Sequence, residues 1–413
     1  MMKKLLLLTI VPALLFGDDL KSLLDFAKKN NNLVNASKIS VLSKEKEVQS
    51  ATSNYYPTVD VSAFYKRDDD PSPFQPGTTY GASANVGFDI YDGGKKSYTK
   101  KQKVNEKKSA SYTYQDTKKS ILLAITQDYY NLKSLQASLE ATIEGSKAVK
   151  AQLERVRHFY EADLATSDDV DRLASAYESS LYAIDSTKFQ ITTLHKKLEL
   201  EVGKKIESLK DSSFEKSLLQ SKEALDSIQS LRYSKTALQN FSETIDSYYY
   251  PTIRIEDTYT VYGYQDKPNL GSLPIQYLDN QNEIMATVGM RLFDFGAIKE
   301  QKEAVKLQAD ALNQQIIYKS KEQQMQLELA SQRIKTAKRN IKSAKSALKA
   351  AKSALKTITE KYNAGIVDNV VYLDALSSKT KAKARYEKSL NDLEIAYAIY
   401  YYYNNKDLEE FVK

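Results

Sequence analysis

The chain has 413 residues, of which only 13 are glycine and 8 are proline, and its formal net charge is +7. So few helix-breaking residues argue against a series of ordinary globular domains and favour long helices. The absence of cysteine excludes disulfides and thiolate metal sites, and the two histidines disfavour a zinc or copper centre. With no nucleophile–base group or phosphate-binding loop, we expect no enzymatic activity and no cofactor.

The first 17 residues have the pattern of a secretory signal peptide. A pair of lysines precedes an apolar run that ends at Phe16, and the small residue Gly17 follows. The run is too short for a membrane helix, which needs about 20 apolar residues. We therefore expect an exported protein whose mature part starts at Asp18 and contains no membrane helix.

The rest of the sequence is an internal repeat. The matching positions are Pro57 and Pro251 (251 minus 57 is 194), Asp92 and Asp294 (202), and Tyr160 and Tyr362 (202). A nearly constant offset indicates duplication and fusion of one structural unit. We expect repeat 1 to cover residues 18–210 and repeat 2 residues 211–413, with one shared architecture.

Each repeat contains two segments in which apolar and polar residues alternate, as in β-strands. The predicted strands are Thr58–Arg67, Tyr80–Ile90, Thr252–Tyr264 and Glu283–Asp294. Their length of about 10–13 residues is close to the ~9–11 residues that cross a membrane at a tilt, and the tyrosines near their ends fit aromatic girdles. An ordinary soluble sheet, half buried on a core, is the alternative.

Long helices are predicted before and after these strands. Asp18–Tyr56 has a helical pattern, and each strand pair is followed by a helix, Gly94–Glu161 or Gly296–Asn363, of about 67 residues and so about 100 Å. Apolar residues at spacings of three and four indicate coiled packing. Each long helix ends in a turn and a returning helix, Asp168–Leu200 or Asp368–Tyr403. The lysines between Lys342 and Lys356 are interpreted as a solvated face, so no nucleic-acid partner is expected.

Four strands are too few to close a membrane barrel, and an open sheet edge is not tolerated in lipid. We therefore predict a mainly α protein with a membrane β-barrel portion, in which three copies form a 12-stranded barrel in outer-membrane lipid and an α-helical barrel in the periplasm. The predicted domains are the helical residues 18–56, 93–250 and 295–413, with equatorial segments near 201–221 and 404–413, and the strand regions 57–92 and 251–294.

Several short motifs, in this order and doubled, resemble the TolC family of outer-membrane efflux proteins. They are the Tyr-Tyr-Pro entries at Pro57 and Pro251, the Asp-x-Gly exits at Asp92–Gly94 and Asp294–Gly296, and the turns Tyr160–Thr166 and Tyr362–Gly365. The resemblance covers nearly the whole mature chain. It implies a homotrimeric channel that docks with a periplasmic adaptor (a membrane fusion protein) and with an inner-membrane RND or ABC transporter.

The same resemblance implies where the functional residues lie. The periplasmic gate would contain Asp374, Asp169 and Asp368, and the adaptor would dock on Tyr160, Ala162, Asp163, Tyr362, Ala364 and Gly365. Val367 and Val371 stand where the family has a basic residue and a second gate aspartate, which puts the usual salt-bridge latch in doubt. The alternative for each aspartate near a helix start is that it caps the returning helix.

These observations predict a passive exit duct for drugs or other small molecules, opened at its periplasmic tip by the adaptor and the transporter. A duct for type I protein secretion is the first alternative. A structural coiled-coil surface protein that conducts nothing is the second. The substrate itself is not encoded in any motif of the chain.

Overall fold

A computed structural model describes residues 18–70, 72, 76–218, 223–267 and 276–413. The predicted signal peptide lies outside the described residues, as do parts of the loops that join the strands. The described helices are α1 (Leu20–Asn30), α2 (Asn32–Ser53), α3 (Lys95–Glu161), α4 (Ser167–Val202), α5 (Asp226–Asp246), α6 (Ala297–Asn363) and α7 (Asn369–Tyr403). The strands are β1 (Thr58–Arg67), β2 (Thr78–Asp92), β3 (Thr252–Gln265) and β4 (Asn280–Gly289).

The two long helices predicted from the sequence are confirmed, and each has 67 residues. The prediction of a single helix over Asp18–Tyr56 is wrong, because Asn31 divides it into α1 and α2. The Asn31 side chain accepts hydrogen bonds from the backbone N–H groups of Leu33 (2.8 Å) and Val34 (3.1 Å). An asparagine that serves the backbone in this way starts a new helix instead of continuing the old one.

All four strands pair antiparallel in the order β1-β2-β3-β4. The two hairpins have the same register, since Thr58 lies opposite Gly87 in repeat 1 and Thr252 lies opposite Gly289 in repeat 2. The predicted extension of the last strand to Asp294 is wrong for a single copy, because β4 ends at Gly289. Gly289 lies opposite Thr252, the first residue of β3, so the residues after Gly289 have no partner in β3. The other side of β4 is a free edge of the sheet.

The sheet is exposed to an unusual degree for a folded chain. Every residue of β1 is exposed, and nine of the ten residues of β4 are exposed. Large apolar side chains such as Val61 (78% exposed) and Ile284 (71%) lie on these edge strands. No described element covers this apolar surface, so the interpretation as an ordinary sheet packed on a soluble core is disfavoured.

The chain forms two compact units. One contains the chain up to Ser37 together with Tyr114–Asp226 and Ser320–Lys413, and the other contains Lys38–Thr113 and Ser227–Lys319. The core of the first unit includes buried tyrosines and leucines from α1, α3 and α7, among them Leu23, Tyr129 and Tyr401. The second unit contains the sheet and a smaller core around Ile245, Ile298 and Val305.

Among the described residues, no helix is both long enough and apolar enough to cross a membrane.

Candidate functional site

Both long helices end in the same kind of turn, and the first compact unit contains both turns. Asp163 (φ 59°) and Gly365 (φ 71°) adopt the left-handed conformation directly after the helix. The following N–H donates to a carbonyl five residues back, from Leu164 to Phe159 (2.7 Å) and from Ile366 to Lys361 (2.9 Å). This is the Schellman arrangement that ends many helices. Because a side chain disfavours positive φ, Asp163 carries strain on the order of 1 kcal/mol that Gly365 avoids.

Two of the three predicted gate aspartates cap the returning helices. Asp368 accepts a hydrogen bond from the backbone N–H of Val371 (3.1 Å) at the start of α7. Asp169 and Thr166 form a capping box at the start of α4, in which each side chain serves the other residue's backbone. Both carboxylates therefore stabilise helix starts, where the negative charge also faces the positive end of the helix dipole.

Asp374 differs from these two residues. It lies on α7, is exposed, and has no hydrogen bond or ion pair within the described part of the chain. Its counterpart in repeat 1 is Arg172 (374 minus 202), which pairs with Asp168 (2.8 Å). The repeats thus place opposite charges at equivalent positions, and only the aspartate of repeat 2 is left unpaired.

Three polar contacts join repeat 1 to repeat 2 near the tips. The buried Asn369 amide donates to Asp169 Oδ1 (3.1 Å), Gln152 Nε2 donates to the Tyr362 hydroxyl (2.6 Å), and Arg155 Nη1 donates to Asn363 Oδ1 (2.8 Å). We call these three pairs the tip latch. Of its members, only Asp169 and Tyr362 were predicted from the sequence. Asn363 lies in the predicted turn Tyr362–Gly365 but was not singled out, and Asn369, Gln152 and Arg155 belong to no motif, because their partners lie about 200 residues away.

One member of the tip latch, Tyr362, is also held by an aromatic contact. The Tyr362 ring stacks on Tyr372 of α7, with ring centroids 5.2 Å apart. Burial raises the pKa of the Tyr362 hydroxyl above its usual value. The hydroxyl therefore stays protonated at neutral pH and can accept the Gln152 hydrogen bond while donating one of its own.

Farther from the tips, α3 and α7 are held together by charge and by close approach. Glu144 forms ion pairs with Lys379 and with Lys383 (2.8 Å). The next residue, Gly145, lies at a close approach of the two helices, since a Cβ added there would lie 2.9 Å from Thr380 Oγ1. The lone glycine inside α3 therefore permits the helix contact that brings these ionic groups together.

The tips also expose apolar side chains. Leu164 is 75% exposed and its counterpart Ile366 is 70% exposed, beside the half-exposed predicted residue Tyr160. The other predicted docking residues, Ala162, Asp163, Ala364 and Gly365, are exposed, and Tyr362 is partly buried in the tip latch. Leu164 and Ile366 were not predicted, although their equal positions in the two repeats were a usable signal. Exposed apolar residues at the same level of both tips are typical of a contact surface.

Within the described ranges, no group of three or more His, Asp and Glu side chains is arranged to hold a metal ion.

Comparison with known proteins agrees with this geometry. The family model for outer membrane efflux protein matches residues 23–198. No curated protein matches the chain. The family match includes α3, the first tip turn and most of α4.

Solved structures extend the likeness over nearly the whole chain. The Campylobacter jejuni CmeC outer membrane channel has a TM-score of 0.81 and 16% identity, and the match covers 95% of this chain and 86% of that one. The Vibrio cholerae outer membrane protein VceC has a TM-score of 0.78 and 14% identity, with 94% and 96% covered. The open state of the Neisseria gonorrhoeae MtrE outer membrane channel has a TM-score of 0.77 and 14% identity, with 94% and 89% covered. At these identities the likeness shows the fold.

The Glu144 ion pairs lead to a prediction about pH. Lys379 and Lys383 lower the pKa of Glu144 from its ordinary 4.5 to about 2. A lowered pKa in the folded state stabilises the fold above pH 4.5, and this contribution is lost as the pH falls towards 2. Glu144→Gln should therefore lower the thermal midpoint at pH 7 by a modest amount, because solvent screens half-exposed pairs to ~1 kcal/mol or less. The difference from the unmodified protein should shrink below pH 4.5.

Glu154→Gln is the matched control, since the one ion pair of Glu154 among the described residues is with Lys150, one turn away on the same helix, at 4.0 Å. It should change the midpoint little at any pH. A Glu144→Gln difference that stays constant from pH 7 to pH 3 would contradict the assignment.

Proposed function

We propose, from the premise that residues 23–198 belong to the outer membrane efflux protein family, that three copies of this chain form an exit duct through the outer membrane. The observation that carries the proposal is the four-stranded sheet with two free edges and an exposed apolar face. In lipid each unpaired backbone group costs several kcal/mol, so such a sheet is stable there only when other strands close it. Three copies of four strands give 12, an even number within the range of bacterial barrels.

The proposed duct is closed by the tip latch. The usual salt bridge of the family is not available here, since Val367 stands at the position of its basic partner. The three hydrogen-bonded pairs join the same two repeats at the same level. A net hydrogen bond contributes about 1 kcal/mol, so three pairs in each copy supply ~3 kcal/mol towards the closed state. Opening then consists of separating repeat 1 from repeat 2 at the tips.

The periplasmic adaptor is the proposed agent of opening, and the exposed apolar residues Leu164 and Ile366 are its proposed contacts. An adaptor that packs on both tips gains more contact when they move apart, which shifts the population towards the open duct. An inner-membrane transporter, proton-driven or ATP-driven, would supply the energy and select the substrate. We propose small molecules as the exported class, with protein secretion as the alternative outcome of an export assay.

Removal of the tip latch should open the duct. The combined substitutions Gln152→Ala, Arg155→Ala and Asn369→Ala should raise the open probability in planar bilayers, on the order of tenfold or more, because ~3 kcal/mol per copy is lost. Single-channel recording of the purified protein measures this.

The matched control is Asn391→Ala, which removes an amide hydrogen bond to Ser134 (3.0 Å) between α7 and α3, the two helices that carry the substituted residues, away from the tips. This variant should conduct like the unmodified protein. Equal conductance of all three proteins would refute the latch, and no conductance from any of them would refute the channel.

The unpaired Asp374 should set ion selectivity at the tip. Symmetry-related copies of one exposed carboxylate focus negative potential and favour cations over anions. Asp374→Asn should lower the cation preference read from the reversal potential in a salt gradient, and Asp374→Lys should lower it further. Asp168→Asn is the control, because that carboxylate is already paired with Arg172. An unchanged reversal potential for Asp374→Lys would exclude a role in selectivity.

The exposed apolar tip residues should be needed for export. Leu164→Asp combined with Ile366→Asp should slow ethidium efflux about tenfold or more in cells that have this chain as their only duct, because each buried leucine or isoleucine contributes about 1.5–3 kcal/mol to an interface. Outer-membrane levels of the oligomer should not change. Leu200→Asp, at an equally exposed leucine (78%) near the other end of α4, is the control. Normal efflux in the double variant would exclude these residues as docking contacts.

A further inference from the structure

The internal repeat relates the strands of repeat 1 to those of repeat 2 residue by residue. Adding 194 to a position in β1 gives its counterpart in β3, and adding 202 to a position in β2 gives its counterpart in β4. The hairpins obey this rule, because the Thr58–Gly87 pair maps onto the Thr252–Gly289 pair (58 plus 194, and 87 plus 202). The offsets therefore predict strand register correctly where it can be checked.

The contact between the two hairpins, β2 with β3, has an ionic centre. Asp89 lies directly opposite Arg254, and Arg254 Nη1 donates to Asp89 Oδ1 at 2.8 Å. Gly87 leaves the space that this guanidinium occupies, since a Cβ added there would lie 2.4 Å from Arg254 Nη2. This pair marks the register of the one strand contact that joins the repeats within a copy.

The same rule maps this pair onto two residues at the free edges of the sheet. Asp89 becomes Arg291 (89 plus 202), and Arg254 becomes Asp60 (254 minus 194). The charges are exchanged, so the mapped pair is again a cation opposite an anion. Asp60 and Arg291 are both exposed, and neither has an ion-pair partner within the described residues.

We infer that β4 of one copy pairs antiparallel with β1 of the next copy, in the register that places Arg291 opposite Asp60 of that next copy. The partner is a second copy of this chain, and the inference rests on the proposed function because it requires neighbouring copies in a ring. The repeat selects this register, and the register brings together two opposite charges that have no ion-pair partner within one copy.

The side chains around the ionic pair fit the same register. By the repeat rule, Met290 falls opposite Val61 of the next copy, as Phe88 lies opposite Ile255 within one copy. Val288 likewise falls opposite Ala63 of the next copy. Apolar residues therefore meet apolar residues on one face while the charges meet on the other, as the alternation of strands requires. The register also supplies a partner strand for the residues just after Gly289, which have none in a single copy.

Paired cysteines test this register, and the chain has no cysteine of its own to interfere. Asp60→Cys with Arg291→Cys should give covalently linked chains on oxidation, because directly opposite residues have Cβ atoms ~4.5–5.5 Å apart. In the pair Ser62→Cys with Arg291→Cys, residue 62 lies on the same face but two positions away from the residue opposite Arg291. This pair should therefore not link. Asp89→Cys with Arg254→Cys should link within one chain and controls for the chemistry.

The outcomes separate the register from the proposed channel. A conducting oligomer that links through the displaced pair, or through neither pair, overturns the register and leaves the channel standing. Linked chains that carry no current support the pairing and overturn the channel. Copies that neither associate nor conduct overturn both.

Exchange of the charges is the second test. Asp60→Arg alone and Arg291→Asp alone should each lower the detergent-resistant oligomer about fivefold, since each puts like charges opposite one another. The double substitution Asp60→Arg with Arg291→Asp should restore it. A double variant as weak as the single ones would overturn the proposed ion pair.

Discussion

Hydrogen bonding of the backbone at the edges of the sheet is the constraint on which the rest depends. A four-stranded antiparallel sheet leaves one row of N–H and C=O groups without partners on β1 and another on β4, and in lipid no water can satisfy them. The exposed apolar side chains of the same strands are unfavourable in water, and lipid removes that free-energy cost. The proposed association of copies would satisfy the backbone and the side chains at once, and it would bring the long helices α3 and α6 into one assembly.

The two repeats share this framework, and several of their differences lie at the tips of the helices. Asp163 takes a strained conformation where Gly365 takes the same one without strain, and Arg172 stands where repeat 2 has Asp374. Such strain is retained where the surrounding structure imposes it, which is common at functional sites. The differences between repeats are what allow Asn369 of one to bind Asp169 of the other.

How well the sequence predicts each feature depends on how far apart in the chain the interacting residues lie. The long helices and three of the four strands were predicted within a few residues, because periodicity and helix breakers act locally. The break at Asn31 was missed although the three asparagines Asn30–Asn32 were a usable capping signal. The early end of β4 was missed because a strand ends where its partner strand ends. The aspartates Asp169 and Asp368 were placed near the tips correctly, and their capping roles were among the alternatives. Asn369, Gln152 and Arg155 were missed because their partners depend on how distant helices pack.

The exchanged charges have a consequence for assembly. The two hairpins have identical registers, so the backbone alone does not distinguish repeat 1 from repeat 2 as a neighbour. Asp60 and Asp89 both lie in repeat 1, whereas Arg254 and Arg291 both lie in repeat 2. The observed contact between unlike repeats pairs a carboxylate with a guanidinium, and the inferred contact between copies would do the same. In the proposed ring, neighbouring copies would alternate their repeats, which is the order that covalent linkage imposes within each chain.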